Sequence, residues 1–448
     1  MWKLLIWVSL PLVSSKCYWN NPNPYPYFGS KTPYDTVRGD FRDVPEIEAK
    51  FRQNRISADA NDFSECEAVS IWFMIRHGTR RPNAPDTKIM KKASYLKDNI
   101  IHKRTQGKGE MCAQDVDDLR KWMWNPKLDY KRSYLTTHGF QELFEFGQRF
   151  SQKFANFLEE VNSSVLRPTS EQRTQQSIKA FVEGLRGINQ SFPIEDYILN
   201  DPVARPYRYC AKRGSQIING TRAISEIQRF QETEEFKKVQ ENVQRRTGLS
   251  LELKPNTIKG LYDLCRFYRS YTLLKRSPWC SLFSDDDLKI LEYVEDVQHY
   301  FKNGFGDSLN SQTGAAGLKD LYEKFHHVTK TGHKSITAYF THDTMMDMIY
   351  SAMGFYEDYP KLSGFERKKD RKWRTTFLTP FAANFVAVLY RCPKLPSTTY
   401  RVQFLKNEKE VHLCGARLCS WKQFWETFHR FTKANLDFCD DDTYVYSV

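Results

Sequence analysis

The residues best equipped for chemistry lie in two short stretches far apart in the chain, Arg76-His77-Gly78-Thr79-Arg80-Arg81-Pro82 and Thr341-His342-Asp343-Thr344. In the first, two arginines bracket a histidine. Guanidinium groups bind phosphate oxygens bidentately, and a neutral imidazole is a competent nucleophile at phosphorus. Gly78 carries no side chain to obstruct the close approach of an anion. A basic surface turn with an idle histidine explains R-H-G-x-R-x-P poorly, because the pattern is too specific to recur often by chance. Thr-His-Asp-Thr taken alone would serve equally well as a helix cap. Its place after a strand-like run, in a chain that also carries the first stretch, gives it a chemical reading.

Both stretches need elements to hold them. Glu67 to Ile75 is rich in β-branched and bulky apolar residues, which predicts a short buried strand running directly into Arg76. Strand ends are where open α/β sheets place their ligand sites. Strand-like segments return at Ile336 to Phe340, just before His342, and at Asn384 to Tyr390 and Tyr400 to Leu405. Apolar residues at helical spacing from Phe140 to Val161 predict one long amphipathic helix. Ser284 followed by Asp285-Asp286-Asp287 reads as an N-cap with acids on the positive end of a helix, whose buried stripe is Leu288, Leu291, Val294 and Val297. Residues 18 to 34, rich in Asn, Pro and Tyr, read as an extended surface arm. The expected organisation is an α/β core made from residues 16–175 and 320–448, interrupted by a charged helical insert over 176–319.

Of the 448 residues, 40% are hydrophobic and 15% aromatic, which excludes a disordered chain. The formal net charge of +13 favours anionic partners such as phosphates, nucleic acid or a charged glycan, without choosing among them. Residues 1–15 show the order of a secretory signal: a basic start at Lys3, an apolar run from Leu4 to Val13, and small residues at Ser14 and Ser15. No later stretch is apolar for long enough to cross a membrane. Ten cysteines without a C-x-x-C pair, together with sequons at Asn162, Asn189 and Asn219, fit an oxidising compartment. The terminal Tyr444-Val445-Tyr446-Ser447-Val448 is no retention signal, so the expectation is a secreted protein.

Further segments give the chemistry a family. Leu135-Thr136-Thr137-His138-Gly139, the run Leu166-Arg167-Pro168-Thr169-Ser170-Glu171-Gln172-Arg173-Thr174, and Phe340-Thr341-His342-Asp343-Thr344 all resemble motifs of the histidine acid phosphatases, branch 2 of the histidine phosphatase superfamily. Within it, Ser277-Pro278-Trp279-Cys280-Ser281-Leu282-Phe283 and Thr379-Pro380-Phe381-Ala382-Ala383-Asn384 look most like the multiple inositol polyphosphate phosphatases. That branch usually carries H-A-E where this chain has His342-Asp343-Thr344, a pairing more like the fungal phytases.

The resemblance implies an α/β fold with a mixed, mainly parallel central sheet flanked by helices, plus a smaller all-α insert. It implies His77 as nucleophile, Asp343 as proton donor, and Arg76, Arg80, Arg167 and His342 as the phosphate-binding groups, with no metal or cofactor. The implied partner is a small phosphate ester, an inositol polyphosphate such as phytate, rather than nucleic acid. A broad acid phosphatase for small monoesters and a secreted anion-binding protein without activity are the alternatives. It also implies disulfides Cys265–Cys280, Cys414–Cys419, Cys66–Cys392 and Cys210–Cys439, leaving Cys17 and Cys112 paired or free.

Other features have plainer readings. Arg367 to Arg374 reads as a solvated basic loop, and Lys91, Lys92, Lys97, Lys103, Arg104 and Lys108 as a candidate rim for a multiply charged substrate. His326, His327 and His333 read as surface residues, and Met345, Met346, Met348 and Met353 as core packing.

Overall fold

The computed structural model describes residues 25–44, 66–185, 187–271, 277–394 and 397–440. The expected leader over 1–15, Cys17 and the last residues of the chain lie outside them. The sheet is built from β1 (Glu67–Arg76), β2 (Ser163–Pro168), β3 (Ser335–Thr341), β4 (Asn384–Lys394), β5 (Ser397–Lys406), β6 (Lys409–Val411) and β7 (Cys419–Ser420). Its order is β2-β3-β1-β4-β5-β6, with β7 pairing β5.

The β2-β3-β1 half is parallel, whereas β1-β4, β4-β5, β5-β6 and β5-β7 are antiparallel. The expectation of a mainly parallel sheet therefore holds for one half only. Lys394 pairs with Ser397 across a two-residue connection, and so short a link can only return the chain antiparallel.

β1 is central and covered on both faces, which is why its sequence is almost continuously apolar. On one face Phe73 packs edge-on against Phe150 at 4.9 Å and against Phe181 at 6.0 Å. On the other, Trp72 and Met74 join a core that includes Leu261, Trp279, Tyr293 and Leu321. Among the described residues no strand lies between Pro168 and Ser335, and the helices of this stretch share that core with the sheet. The expected boundaries at 175/176 and 319/320 both fall inside helices, Gln172–Gly184 and Ser308–Thr331. The Asp285–Asn303 helix starts at Ser284 with a reciprocal capping box to Asp287. No helix of the described residues is long and apolar enough to cross a membrane.

Three local expectations change. The long helix from Phe140 breaks at Phe154, where φ is −119°; that ring packs on Phe150 and Phe41 while a separate turn, Ala155–Glu159, follows. The N-terminal arm is no surface feature over its described part, 25–34: Phe28 and Tyr34 are fully buried, and Ser30 and Lys31 lie inside with them. The basic run from Arg367 is solvated only in part. Lys369, Asp370 and Lys372 are exposed, but Arg371 is 5% exposed and bonds Asp296 and Glu292, and Arg374 bonds Glu292, so these two arginines neutralise buried carboxylates, while Arg367 bonds the partly exposed Glu235.

Disulfides join Cys66 to Cys392, Cys210 to Cys439, Cys265 to Cys280 and Cys414 to Cys419; Cys112 is also disulfide-bonded. These bonds and the exposed Asn162, Asn189 and Asn219 fit an extracellular or lumenal protein.

One buried ion pair fastens the arm to the sheet. Glu408 accepts from Arg149 through Nε at 2.8 Å and Nη2 at 2.7 Å, and from the Tyr34 hydroxyl at 2.9 Å. Removing one partner of such a pair strands the other charge in the interior, at a cost of about 3–5 kcal/mol. Glu408→Ala should lower unfolding free energy by about that amount in guanidinium titrations; a change within about 0.5 kcal/mol would show that the pair carries no stability.

Candidate active site

The parallel register pairs Arg76 with Thr341 at the carboxyl ends of β1 and β3. His77 donates its backbone N–H to the Thr341 carbonyl at 3.0 Å, so Arg76-His77 and His342-Asp343 leave the sheet side by side. Thr169, just past β2, donates its N–H to the Phe340 carbonyl and brings Glu171 and Arg173 to the same edge. Three parallel strand ends thus converge, the usual place for a site in such a sheet.

Arg76 is fully buried. Its Nη1 donates to the carbonyls of Ser30 and Thr379, each at 2.5 Å, and its Nη2 to Asp343 Oδ2 at 2.8 Å. The guanidinium also lies over the Phe381 ring, 4.7 Å from its centre. Burial lowers its pKa to about 10, which leaves it cationic near neutrality. Burial alone would raise the pKa of Asp343, but the surrounding cations, Arg76 foremost with Lys31 and Arg80 behind it, together outweigh burial and hold the carboxyl well below the usual carboxylate range.

His77 is 2% exposed. Its Nδ1 lies 2.8 Å from the Gly78 carbonyl, an oxygen that can only accept, so Nδ1 carries the proton and the lone pair sits on Nε2. Burial, then the positive charges of Arg173, Arg76 and Arg80, push its pKa well below the ordinary histidine value. The ring therefore stays a neutral nucleophile into acidic solution.

Gly78 serves a different purpose from the one its sequence position suggested. A Cβ there would come 2.2 Å from the Gly139 carbonyl, and a Cβ on Gly139 would come 2.1 Å from the Thr79 carbonyl. The paired glycines let the catalytic loop lie directly on the first turn of the Thr137–Lys153 helix. Glu142, one turn along that helix and 2% exposed, accepts from the Thr79 N–H at 2.7 Å and hydroxyl at 2.9 Å.

His342 sits with its ring centre 5.5 Å from that of His77. Arg173 Nη2 donates to its Nδ1 at 3.1 Å, and its Nε2 bonds Thr169 Oγ1 at 3.0 Å and Glu171 Oε2 at 3.1 Å. Burial, then Arg173, lowers its pKa to about 4, so this imidazole is also neutral. Both of its ring nitrogens are engaged with the protein.

Arg167 is not brought into this cluster. Its Nε donates to Asp201 Oδ2 at 2.7 Å, its Nη1 lies 3.4 Å from Glu195 Oε2, and its guanidinium stacks over Tyr339 at 5.0 Å. Arg167 lies inside β2, and the arginine that reaches the strand ends is Arg173, in the first turn of the Gln172–Gly184 helix.

Arg80 and Asp343 open onto a cavity of about 950 Å3. Its other cations include Lys31, Lys259 and Arg213, none from the Lys91–Lys108 stretch expected to form the rim. Lys31 comes from the arm and bonds Glu295 at 3.1 Å; Lys259 bonds Asp86 at 2.7 Å. No local sequence signal marked these lysines, because only the fold of the arm and the helices carries them here. Among the described residues no group of three or more His, Cys, Asp or Glu is placed to hold a metal.

A buried neutral histidine with a free Nε2, ringed by guanidinium groups and flanked by a carboxylate, has the parts for phosphoryl transfer to and from imidazole. The sequence model of the histidine phosphatase superfamily (branch 2) matches residues 70–407, and the chain belongs to that family. Multiple inositol polyphosphate phosphatase 1 of Drosophila melanogaster is 28% identical over 97% of this chain and 92% of its own length. The protein of the same name from Homo sapiens is 26% identical over 92% of this chain and 87% of its own. The crystal structure of the phytase from D. castellii superposes with a TM-score of 0.68 at 17% identity, covering 92% of this chain and 86% of that one, which supports the fold.

The geometry ranks the arginines. Arg173→Ala should weaken vanadate binding about ten- to a hundredfold, the worth of a charge-assisted hydrogen bond, and Arg167→Ala should leave it within about threefold. Calorimetric titration checks both, and the reverse ranking would return Arg167 to the pocket.

Proposed function

We propose that this chain is a phosphomonoesterase that hydrolyses inositol polyphosphates through a phosphohistidine intermediate. The observation that carries the reading is the neutral His77, its Nε2 without a hydrogen bond among the described residues and the three guanidinium groups of Arg76, Arg80 and Arg173 around it. In the first step Nε2 attacks phosphorus and the ester P–O bond breaks. Arg76, Arg80 and Arg173 take the charge of the equatorial oxygens, the largest part of catalysis in such transfers. His342 acts behind them, holding Arg173 through Nδ1 while Glu171 fixes its tautomer.

Asp343 protonates the departing alkoxide, then removes a proton from the water that splits the phosphohistidine. Its present pairing with Arg76 favours the carboxylate. A phosphate dianion arriving between them competes for Arg76 and repels the carboxylate, so a proton is taken up on binding. The names and lengths of the relatives support the polyphosphate as substrate, as does a cavity larger than one phosphoryl group and rich in cations. The apolar leader at 1–15, in a chain held by disulfides, supports secretion.

Asp343→Asn separates the donor role from mere placement. An inositol alkoxide needs a proton as it leaves, whereas nitrophenolate does not. Single-turnover phosphoryl transfer from an inositol polyphosphate should fall about 10²–10⁴-fold, and from nitrophenyl phosphate far less. Equal losses on both esters would deny Asp343 the donor role.

A further inference from the structure

The helix Asp285–Asn303 presents a histidine to the cavity that the proposed chemistry does not use. His299 is 7% exposed, and its Nδ1 lies 2.7 Å from Asp347 Oδ2. Asn303 Nδ2 donates to the same oxygen at 3.1 Å. A carboxylate accepts from both, so Nδ1 carries a proton and Asp347 fixes the tautomer of the ring. Nε2 has no hydrogen bond among the described residues; Glu295 Oε1 lies 3.7 Å away, too far for one.

Asp347 is fully buried, one turn after Asp343 on the helix Asp343–Met353. Its Oδ1 has no partner among the described residues, so the bonds to Oδ2 are what hold a carboxylate there. Burial raises its carboxyl pKa, His299 and Asn303 oppose that rise, and the charge of Asp343 adds to it. The protons of Asp343, Asp347 and His299 are therefore linked. The charged groups around His299 are Glu295 on its own helix, Asp343 and Asp347 on the helix after β3, Lys31 from the arm, Arg266 from the helix Pro255–Tyr271 and Arg213 beyond Asn303. Lys31 and Arg266 both bond Glu295.

The proposed reaction needs a proton at Asp343 that the resting site does not hold. Paired with Arg76, Asp343 rests as a carboxylate, yet it must be protonated before the alkoxide leaves. The arriving substrate fills the cavity through which solvent would reach it. Among the described residues that line this cavity, His299 is the only histidine, the side chain that exchanges protons most readily near neutrality. Other titratable groups are engaged: Lys31 donates to Glu295 and Ser30, and Asp86 accepts from Lys259.

We propose that His299, held by Asp347, passes to Asp343 the proton that it takes up when substrate binds. His299 Nε2 gives its proton to the Asp343 carboxylate, and the ring is left neutral with Nδ1–H on Asp347. Asp343 then gives that proton to the departing alkoxide and takes another from the attacking water. On product release Asp343 pairs again with Arg76, and its proton returns to His299. Each turnover leaves both groups as they began. His299 acts through Asp343 and touches no substrate atom in this scheme, which deepens the proposed function and rests on it.

The test measures single-turnover phosphoryl transfer by the full chain across pH, from an inositol polyphosphate and from nitrophenyl phosphate. For His299→Gln the rate on the inositol ester near neutrality should fall about tenfold, a part of the roughly 10²–10⁴-fold that a proton donor contributes. The alkaline fall of its pH profile should move to lower pH, because Asp343 alone must then keep the proton. Asp347→Asn should move it the same way. Transfer from nitrophenyl phosphate and vanadate affinity should stay near wild type, and added imidazole should return part of the rate to His299→Ala. Rates on the inositol ester that match wild type across pH overturn the relay, as do equal losses on both esters at every pH. Should Asp347→Asn fail to fold, the His299 variants decide. Wild-type protein that turns over no phosphate ester removes the proposed function and the relay together, whereas active wild type with unaltered variants removes the relay alone.

Discussion

The guanidinium of Arg76 joins parts of the chain that are far apart in sequence. It holds the arm through the Ser30 carbonyl, the segment before β4 through Thr379, and Asp343 at the end of β3. A buried guanidinium costs several kcal/mol unless its donors are met, and here Nη1 and Nη2 find oxygens in three different elements. The charge thereby dictates where those elements sit. The same contact keeps Asp343 ionised until another anion competes for Arg76, so one interaction both assembles the site and prepares it for substrate.

The surrounding charges follow one rule. Carboxylates are spent on fastening: Glu142 on the catalytic loop, Glu408 on the arm, Glu292 and Asp296 on Arg371 and Arg374. The cavity is left lined with cations, while burial and the charges of Arg173, Arg76 and Arg80 keep His77 unprotonated. A neutral nucleophile beside several guanidinium groups is stable because each charge has a partner elsewhere or awaits one from the ligand. Specificity and reactivity thus draw on the same imbalance.

Much of this was legible in the sequence, for definable reasons. His77, Arg76, Arg80, His342 and Asp343 stand at strand ends whose strands are strongly apolar, so motif and element agree and the residues meet. Arg167 and Arg173 could not be told apart that way. Deciding between them requires the end of β2, a short edge strand with little apolar content, since an arginine within the strand turns to Asp201 while one a helical turn later reaches His342. Lys31 and Arg213 were invisible for another reason. Their neighbours in space are far off in sequence, and only the burial of the arm and the packing of the helices make them part of the cavity. The half of the sheet that runs antiparallel was hidden in the two-residue connection after Lys394.

The central claim is that His77 Nε2 becomes covalently phosphorylated. Rapid quenching of the enzyme with a phosphorus-labelled inositol polyphosphate, followed by peptide mapping under alkaline conditions, tests it most directly. Acid-labile, alkali-stable label on the peptide containing His77, absent from His77→Ala, is the predicted result. Turnover of the ester by wild-type protein with no such label, or label that persists in His77→Ala, would contradict it.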